Sequence, residues 1–363
     1  MGSMPQATKR RVLVIGSGGV GTMAAYALEK GGKATVTAVL RSNYDAVQRS
    51  GFTISSLDHG EIQGWRPIRN SIPDVSQGRL KPYDFVVVTT KNIADVPPGV
   101  ADMIAPAITP GHTAITLLQN GLNIERPIVA AFPSSPVLSG ISFIGATEGP
   151  LGTIKHDNHD ELSVGAFLSS SSSYSYCNGG TDKTDVAKAE AAARLFVDMY
   201  SSCPGVDCAY EPDVAFSRWR KLLYNASFNS VAAILRMDTS RMRISEHVID
   251  NLIRPIMLEI IKVAGAAGTP LPSELVDKFI VIDNFEAFFK PSMFQDIESG
   301  GFIEFENIVG EPLREAERLG VETPTLRVVY GLLKGLQWQT MEKKGLVKVP
   351  VASEPGLKYG GSK

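Results

Sequence analysis

A glycine-rich turn near the start of the chain constrains its fold more than any other feature. The segment 16–21, Gly-Ser-Gly-Gly-Val-Gly, follows the apolar run Val12–Ile15 and precedes a helix-forming stretch that begins at Thr22. In this order, the motif glycines permit a tight turn, a close approach of the backbone to a pyrophosphate, and close packing of helix on strand. Unpaired N–H groups at the helix start favour phosphates. The segment predicts a dinucleotide site made by Gly16, Ser17, Gly18, Gly19, Val20 and Gly21; the alternative is a purely structural turn.

The end of the second predicted strand indicates which dinucleotide is preferred. Residues 34–40 are rich in β-branched side chains, and Arg41 follows them. Enzymes that use NAD usually carry an Asp or Glu about 20 residues after the glycine motif, where it binds the ribose hydroxyls. A carboxylate would repel a 2′-phosphate, whereas a guanidinium binds it through charge-assisted hydrogen bonds. Arg41 therefore favours NADPH over NADH, the alternative being a solvated arginine at a strand end.

Composition narrows the class of protein. A chain of 363 residues is long enough for two domains, and a formal net charge of −2 does not favour a nucleic acid or a membrane surface as the main partner. Its three cysteines lack metal-ligand spacing, so we expect no metal site and a reducing compartment. No apolar segment is long enough to span a bilayer, and the short stretch before the first strand leaves no room for a signal peptide. A cytoplasmic protein is the expectation.

Polar residues follow the predicted buried strands of the first half. The strand over 84–90 leads to Lys91, and the strand over 113–118 leads to Asn120. A further strand is predicted over 137–145, and an antiparallel strand near the sheet edge over 160–165. Ligands of open α/β sheets bind at the carboxyl ends of the strands, so this edge is the expected site.

The pattern changes from alternating strands and helices to helical periodicity after about residue 210. This change predicts an α/β fold with a Rossmann-type, NADP-binding domain over 8–210 and an all-α substrate domain over 211–349. The Ser-rich stretch 169–185 predicts a surface loop, and residues 350–363 predict a disordered tail.

The first helix of the second half carries a polar stripe. Lys221, Asn225 and Asn229 recur at a four-residue spacing and so share one helix face. Asparagine is unfavourable inside a helix unless its amide has a partner, so the stripe indicates a face that meets a polar ligand. A solvated surface stripe is the alternative, and periodicity alone does not decide between them.

Two further residues of the second half are candidates for binding. Ser292 is predicted to cap a helix, with Gln295 at the capping-box position, and a serine there could also bind a carboxylate. Glu304 lies on the same predicted face as Ile308, so we expect it to be partly buried and paired with a cation or a hydroxyl donor.

These residues together resemble the ketopantoate reductases (2-dehydropantoate 2-reductases) over nearly the whole chain. The resemblance implies a Rossmann domain followed by a helical domain like the C-terminal domain of 6-phosphogluconate dehydrogenase. The matching pieces are the glycine segment 16–21, Leu40-Arg41, Thr90-Lys91, Gln119-Asn120-Gly121, Trp219-Arg220-Lys221-Leu222 with Asn225 and Asn229, and Ser292-Met293-Phe294-Gln295-Asp296 with Glu304.

The resemblance also implies roles for the matching residues. Lys221 resembles the general acid that protonates the substrate oxygen as hydride arrives from NADPH, and its ammonium would stabilise the developing alkoxide. Glu304 resembles the carboxylate that orients this lysine or the substrate hydroxyl. The remaining roles are substrate carboxylate binding for Ser292, substrate binding for Asn225 and Asn229, a bridge between cofactor and substrate for Asn120, and a cofactor contact for Lys91.

The implied reaction is NADPH-dependent reduction of 2-dehydropantoate to D-pantoate, on the route to pantothenate and coenzyme A. Some members of the family have an asparagine where this chain has Asp238-Thr239, and another where it has Phe289-Lys290-Pro291. The alternatives are therefore reduction of another 2-oxo acid or an imine, or a non-catalytic regulator that binds NADP(H). The partner is a small 2-oxo acid, and monomer and homodimer both remain open.

Overall fold

The computed structural model describes residues 8–76, 78–150, 152–168 and 183–349. Most of the predicted Ser-rich loop and the whole predicted tail over 350–363 lie outside the described residues. Two compact units are present. The first contains the described residues up to Leu222 together with Ala264–Leu271, and the second contains Leu223–Val263 and the described residues from Pro272 onward.

Twelve strands are found in the described part of the first unit. In chain order they are β1 (Arg10–Ile15), β2 (Ala34–Val39), β3 (Phe52–Ser56), β4 (Gly60–Trp65), β5 (Ile68–Arg69), β6 (Phe85–Val88), β7 (Ala114–Leu117), β8 (Val137–Ser142), β9 (Gly145–Glu148), β10 (Thr153–Asn158), β11 (Glu161–Ala166) and β12 (Asp207–Tyr210). The accompanying helices are α1 (Gly19–Lys30), α2 (Tyr44–Ser50), α3 (Val100–Ile104), α4 (Arg126–Ala131), α5 (Lys183–Tyr200) and α6 (Val214–Tyr224).

Eight strands form one sheet in the order β12-β11-β8-β7-β6-β1-β2-β5. The strands from β8 to β5 in this order run parallel, whereas β11 is antiparallel to β8. Val12 and Val14 of β1 pack into the core on one face, and Leu13 and Ile15 pack into a second core on the other. Burying each such side chain contributes about 1.5–3 kcal/mol. This two-sided burial explains the continuous apolar runs of the sequence and confirms the predicted α/β class.

A second sheet, which the sequence did not reveal, has the order β4-β3-β10-β9. The prediction of one strand over 137–145 is wrong, because β8 ends at Ser142 and β9 begins at Gly145 in the other sheet. In the short connection between β8 and β9, the amide of Phe143 donates to the carbonyl of Glu161, 2.9 Å away. This bond holds the connection beside β11 before the chain enters the second sheet. The small sheet thereby places β9 against the start of α1.

The described part of the second unit is helical. Its helices are α7 (Ser230–Leu235), α8 (Thr239–Ile244), α9 (Arg254–Ala266, which ends in the first unit), α10 (Leu275–Ile280), α11 (Ser292–Glu298), α12 (Glu311–Leu319) and α13 (Pro324–Lys343). Three π-helical turns, Asn225–Asn229, Ile249–Ile253 and Glu306–Gly310, directly precede α7, α9 and α12. Such turns often occur at functional sites. None of the described helices is long and apolar enough to cross a membrane.

Candidate active site

The glycine turn has the geometry that its sequence predicts. Gly16 has a φ of +105°, and a Cβ there would lie 2.7 Å from the amide nitrogen of Thr90. A Cβ on Gly21 would lie 2.0 Å from the carbonyl oxygen of Gly16. At Gly18, by contrast, the nearest atom of the described residues to a Cβ would be Glu148 Oε2, 4.0 Å away. Gly16 and Gly21, together with Gly19, are therefore required by packing. Gly18 instead leaves open space beside the first turn of α1, which is where a pyrophosphate would approach.

Side chains from three elements surround this turn. Ser17 Oγ donates to the carbonyl of Val39 at the end of β2, at 3.1 Å. The side-chain nitrogen Nδ2 of Asn43 donates to the carbonyl of Ser17 at 3.1 Å and to Glu148 Oε1 at 3.1 Å. Arg41, predicted to bind the 2′-phosphate, is exposed at the same strand end. Sequence reasoning missed Glu148, because nothing in its local pattern shows that β9 packs on the glycine turn.

Partial desolvation raises the pKa of the Glu148 carboxyl, and the hydrogen bond from Asn43 opposes this shift without cancelling it. The residue as a whole is nevertheless exposed. It therefore presents a titratable carboxyl at the edge of the turn.

Hydrogen bonds join the end of β6 to the end of β7 and to the glycine turn at the predicted ligand edge. Gln119 Nε2 donates to the carbonyl of Thr90 at 2.7 Å, and Thr89 Oγ1 donates to the carbonyl of Gly16 at 2.7 Å. Lys91 and Asn120 are the next residues along these two chain segments, so both lie at the edge that carries the glycine turn. Lys91 is exposed and Asn120 is half-buried.

Lys221 on α6 is held at the end of the neighbouring strand β8. Its Nζ donates to the carbonyl of Ser142 and lies 5.2 Å from the centre of the Phe143 ring. The side chain is half-buried. Because β7 and β8 are adjacent, the ammonium and Asn120 belong to neighbouring strand ends of the first unit.

A buried arginine that the sequence analysis did not single out lies one helical turn before Lys221. Arg218 is 6% exposed, and its guanidinium donates to the carbonyls of Gln119 and Gly121, the two neighbours of Asn120. It also pairs with Glu125, with 3.1 Å between Nε and Oε1. Residues three apart share a helix face, and this was the available signal.

The second unit brings three of the predicted substrate-binding residues together. Asn229 Nδ2 donates to Asn225 Oδ1 at 2.9 Å, and Asn229 Oδ1 accepts from the Met293 amide at 3.1 Å and from Ser292 Oγ at 3.4 Å. Asn225 is 6% exposed and Asn229 is 3% exposed. The alternative of a solvated stripe is therefore wrong for both asparagines, which lie in the first π-helical turn.

The prediction that Ser292 caps a helix is wrong. Pro291 occupies the N-cap position with extended dihedral angles, φ −61° and ψ 156°, and makes Ser292 the first helical residue. The side chain of Gln295 bonds to the carbonyl of Lys290 at 2.7 Å and does not complete a capping box. This shift releases the Ser292 hydroxyl from capping and directs it to Asn229.

Glu304 is buried, as predicted, with 4% exposure. It lies just before the third π-helical turn, and its carbonyl accepts from the amide of Ile308 at 3.1 Å. Lys290, which sequence analysis placed beside Ser292, pairs with Glu298 at 2.8 Å.

Comparison with known proteins places this arrangement in a family. The family model described as ketopantoate reductase PanE/ApbA matches residues 12–169, and the model of its C-terminal part matches residues 213–337. An uncharacterised protein of Saccharomyces cerevisiae is 39% identical over 361 residues, which cover 93% of this chain and 96% of that protein.

Solved structures show the same fold. The 2-dehydropantoate 2-reductase of Methylococcus capsulatus superposes with a TM-score of 0.72 at 28% identity, covering 91% of this chain and 97% of that one. A D-mandelate dehydrogenase in complex with NADH and anilino(oxo)acetate superposes with a TM-score of 0.75 at 19% identity, covering 91% and 99%.

Proposed function

This chain belongs to the ketopantoate reductase family, and on that premise we propose that it reduces 2-dehydropantoate to D-pantoate with NADPH. The family is one of oxidoreductases that bind NAD(P)H. The observation that carries the proposal is the position of Lys221, whose ammonium is held at the β8 strand end beside the β7 end that carries Asn120. A proton donor at the ligand edge of a dinucleotide fold is what reduction of a carbonyl requires.

The residues of the first unit fit a dinucleotide. Open space at Gly18 admits the pyrophosphate, and exposed Arg41 offers a cation for a 2′-phosphate. Lys91 and Asn120 lie at the same edge and would hold the nicotinamide half. When bound, the reduced cofactor supplies a hydride to the carbonyl carbon of the substrate.

Lys221 would deliver the proton that balances this hydride. As the carbonyl carbon is reduced, negative charge develops on its oxygen, and transfer of a proton from Nζ leaves a hydroxyl group and a neutral amine. An ammonium has three N–H donors. The bond to Ser142 uses one of them and fixes the direction of the side chain, so the charge is preorganised before substrate arrives.

The second unit would bind the 2-oxo acid. Ser292 would donate its hydroxyl to the carboxylate, while Asn225 and Asn229 would bind polar groups of the substrate. Their mutual hydrogen bond and the Met293 amide hold both side chains in single orientations. Glu304 would orient Lys221 or the substrate hydroxyl.

The test is steady-state oxidation of NADPH with 2-dehydropantoate by the wild type, by Lys221→Ala and by the surface control Lys188→Ala. We expect turnover by the wild type and the control, and a loss of about 10²–10⁴-fold in kcat for Lys221→Ala. Full activity of Lys221→Ala would remove the lysine from the mechanism. Tight binding of NADPH without turnover of any 2-oxo acid or imine would instead favour a regulator.

An aromatic 2-oxo acid is a second candidate substrate, because phenylalanines precede the serine assigned to the carboxylate. Phe288 is 46% exposed and Phe289 is 43% exposed, and these residues stand close to where some family members have an asparagine. A dehydrogenase of similar fold binds the aromatic ligand anilino(oxo)acetate. A higher kcat/KM for phenylglyoxylate than for 2-dehydropantoate, abolished by Phe288→Ala with Phe289→Ala, would favour this candidate.

A further inference from the structure

We propose that Glu148 is a cofactor-specificity residue that contacts the adenosine ribose of the dinucleotide and weakens the preference for NADPH over NADH. This proposal rests on the proposed function only in requiring that the chain binds a nicotinamide dinucleotide. It concerns a side chain that enters the site from the second sheet and is remote in sequence from the glycine motif and from Arg41.

The first step of the argument is the position of the ribose end. In dinucleotide folds the ribose hydroxyls lie at the residues that follow the second strand. Here β2 ends at Val39, and Asn43 lies four residues further on, 4% exposed. Because its amide nitrogen carries two hydrogens, Asn43 can donate to Ser17 and to Glu148 at the same time, at 3.1 Å each. The Glu148 carboxylate is thus fixed beside the turn after β2.

The second step is the contact with the glycine turn. Glu148 Oε2 lies 4.0 Å from the position of a Cβ on Gly18, the glycine that leaves open space. The strand that carries it is seated firmly, since a Cβ on Gly19 would lie 2.0 Å from the carbonyl oxygen of Ala146. A dinucleotide that lies on Gly18 and extends toward Asn43 therefore passes the carboxylate.

The third step is charge. A carboxylate at the ribose end accepts hydrogen bonds from the 2′- and 3′-hydroxyls of NADH, and repels the 2′-phosphate of NADPH. The sequence shows only Arg41 after β2, whereas the fold adds a carboxylate from β9. Arg41 and Glu148 act in opposite directions on the same phosphate. The raised pKa of Glu148 agrees with a carboxyl that has lost part of its hydration at this surface.

The experiment compares dissociation constants of NADPH and NADH at pH 8 by quenching of protein fluorescence, without any 2-oxo acid. The proteins are the full chain, Glu148→Gln, and Glu161→Gln, which removes an exposed carboxylate elsewhere in the first unit. The glutamine keeps an oxygen that can accept from Asn43. We expect Glu148→Gln to shift the ratio of the two constants toward NADPH by about fivefold at low salt and less at high salt.

An unchanged ratio in Glu148→Gln, equal to that in Glu161→Gln, would overturn the proposal. A shift of equal size in both variants would also overturn it, because it would report only net charge. Because no substrate is present, the result stands even if 2-dehydropantoate is not turned over. Failure of the unmodified chain to bind either dinucleotide would overturn both this proposal and the proposed function.

Discussion

Arg218 and Glu125 form a buried ion pair under the segment that carries Asn120. The Glu125 side chain is 2% exposed, and 3.1 Å separates its Oε1 from Arg218 Nε. Ser139 Oγ donates to the same carboxylate oxygen at 2.6 Å and accepts from Arg218 Nε at 2.9 Å. The pair therefore joins α6, the end of β7 and β8, and it fixes the backbone on both sides of Asn120.

Removing one member of this pair is expected to destabilise the protein strongly. Arg218→Ala leaves the Glu125 carboxylate buried without its cation, which typically costs about 3–5 kcal/mol. The double variant Arg218→Met with Glu125→Leu removes both charges and should recover most of this loss. Urea unfolding measures the free energies of unfolding. A single variant that loses less than about 1 kcal/mol would contradict the structural role of the pair.

Replacing Gly18 or Gly21 by alanine is expected to weaken dinucleotide binding for a different physical reason in each case. A Cβ on Gly21 would lie 2.0 Å from Gly16 oxygen, so Gly21→Ala should lower the thermal midpoint and the dinucleotide affinity together. Among the described residues, a Cβ on Gly18 meets only Glu148 Oε2, at 4.0 Å. Gly18→Ala should therefore fold normally but bind NADPH more weakly than the wild type. Thermal unfolding and fluorescence titration separate the two effects, and normal NADPH binding by Gly18→Ala would argue against the phosphate position.

Alanine substitutions at Ser292 and Asn229 are expected to have different effects: the first should mainly weaken substrate binding, and the second should mainly lower the free energy of unfolding. The Ser292 hydroxyl is 3.4 Å from Asn229 Oδ1, a long hydrogen bond, so Ser292→Ala should cost less than about 1 kcal/mol of stability. If the hydroxyl binds the substrate carboxylate, KM should rise about tenfold or more. Asn229→Ala leaves the Met293 amide and Asn225 without a shared partner and should cost about 1–3 kcal/mol. An unchanged KM in Ser292→Ala would end its assignment to the carboxylate.

The elements that sequence predicted best are those whose residues are buried on both faces. Val12–Ile15 and Phe85–Val88 are continuous apolar stretches. In a chain of alternating strands and helices, such short apolar stretches are typical of buried parallel strands. The glycine turn was equally predictable, because its steric requirement is local. The four-residue spacing of Lys221, Asn225 and Asn229 singled them out but left a solvated stripe open, which the burial of the two asparagines excludes for them.

The parts that sequence could not predict depend on pairing between distant segments. The small sheet joins β3 to β10 in parallel. β3 does alternate buried and exposed residues, but alternation does not identify which distant strand is its partner. Glu148 reaches the glycine turn only through that sheet. Ser292 was assigned to the N-cap because serine caps helices well, but the adjacent Pro291 already had the required dihedral angles.

The pH dependence of stability is expected to include a contribution from His159. Its Nδ1 lies 3.0 Å from Asp58 Oδ1 and its Nε2 lies 3.1 Å from Asp207 Oδ2. The hydrogen bonds to Asp58 and then to Asp207 raise the pKa of His159. The stabilisation is therefore complete below about pH 6.5, the ordinary histidine value, and is lost as the pH rises through the raised folded value. The carboxyl of Asp58 stays ionised in this range, because the hydrogen bonds from His159 and the Asp160 amide outweigh burial and lower its pKa.

His159→Gln tests this contribution, with the exposed His247→Gln as control. The loss of unfolding free energy relative to the wild type should be larger at pH 6 than at pH 9. It should not exceed about 1 kcal/mol, because the His159 side chain is 43% exposed and such pairs are screened by solvent. A loss of unfolding free energy that is larger at pH 9 than at pH 6 would contradict the stabilisation by protonated His159.

The rate of reduction is expected to fall at alkaline pH if Lys221 supplies the proton. Only the ammonium form can protonate the substrate oxygen, so kcat should decrease as this form is depleted, while Lys221→Ala should be slow at every pH. Reduced cofactor deuterated at each C4 position in turn identifies the transferred hydride and shows whether its transfer limits the rate. With a full isotope effect and a rate that stays level to about pH 11, above the ordinary lysine pKa of about 10.4, the proton would have to come from another donor. Lys221 would then retain only its electrostatic role at the end of β8.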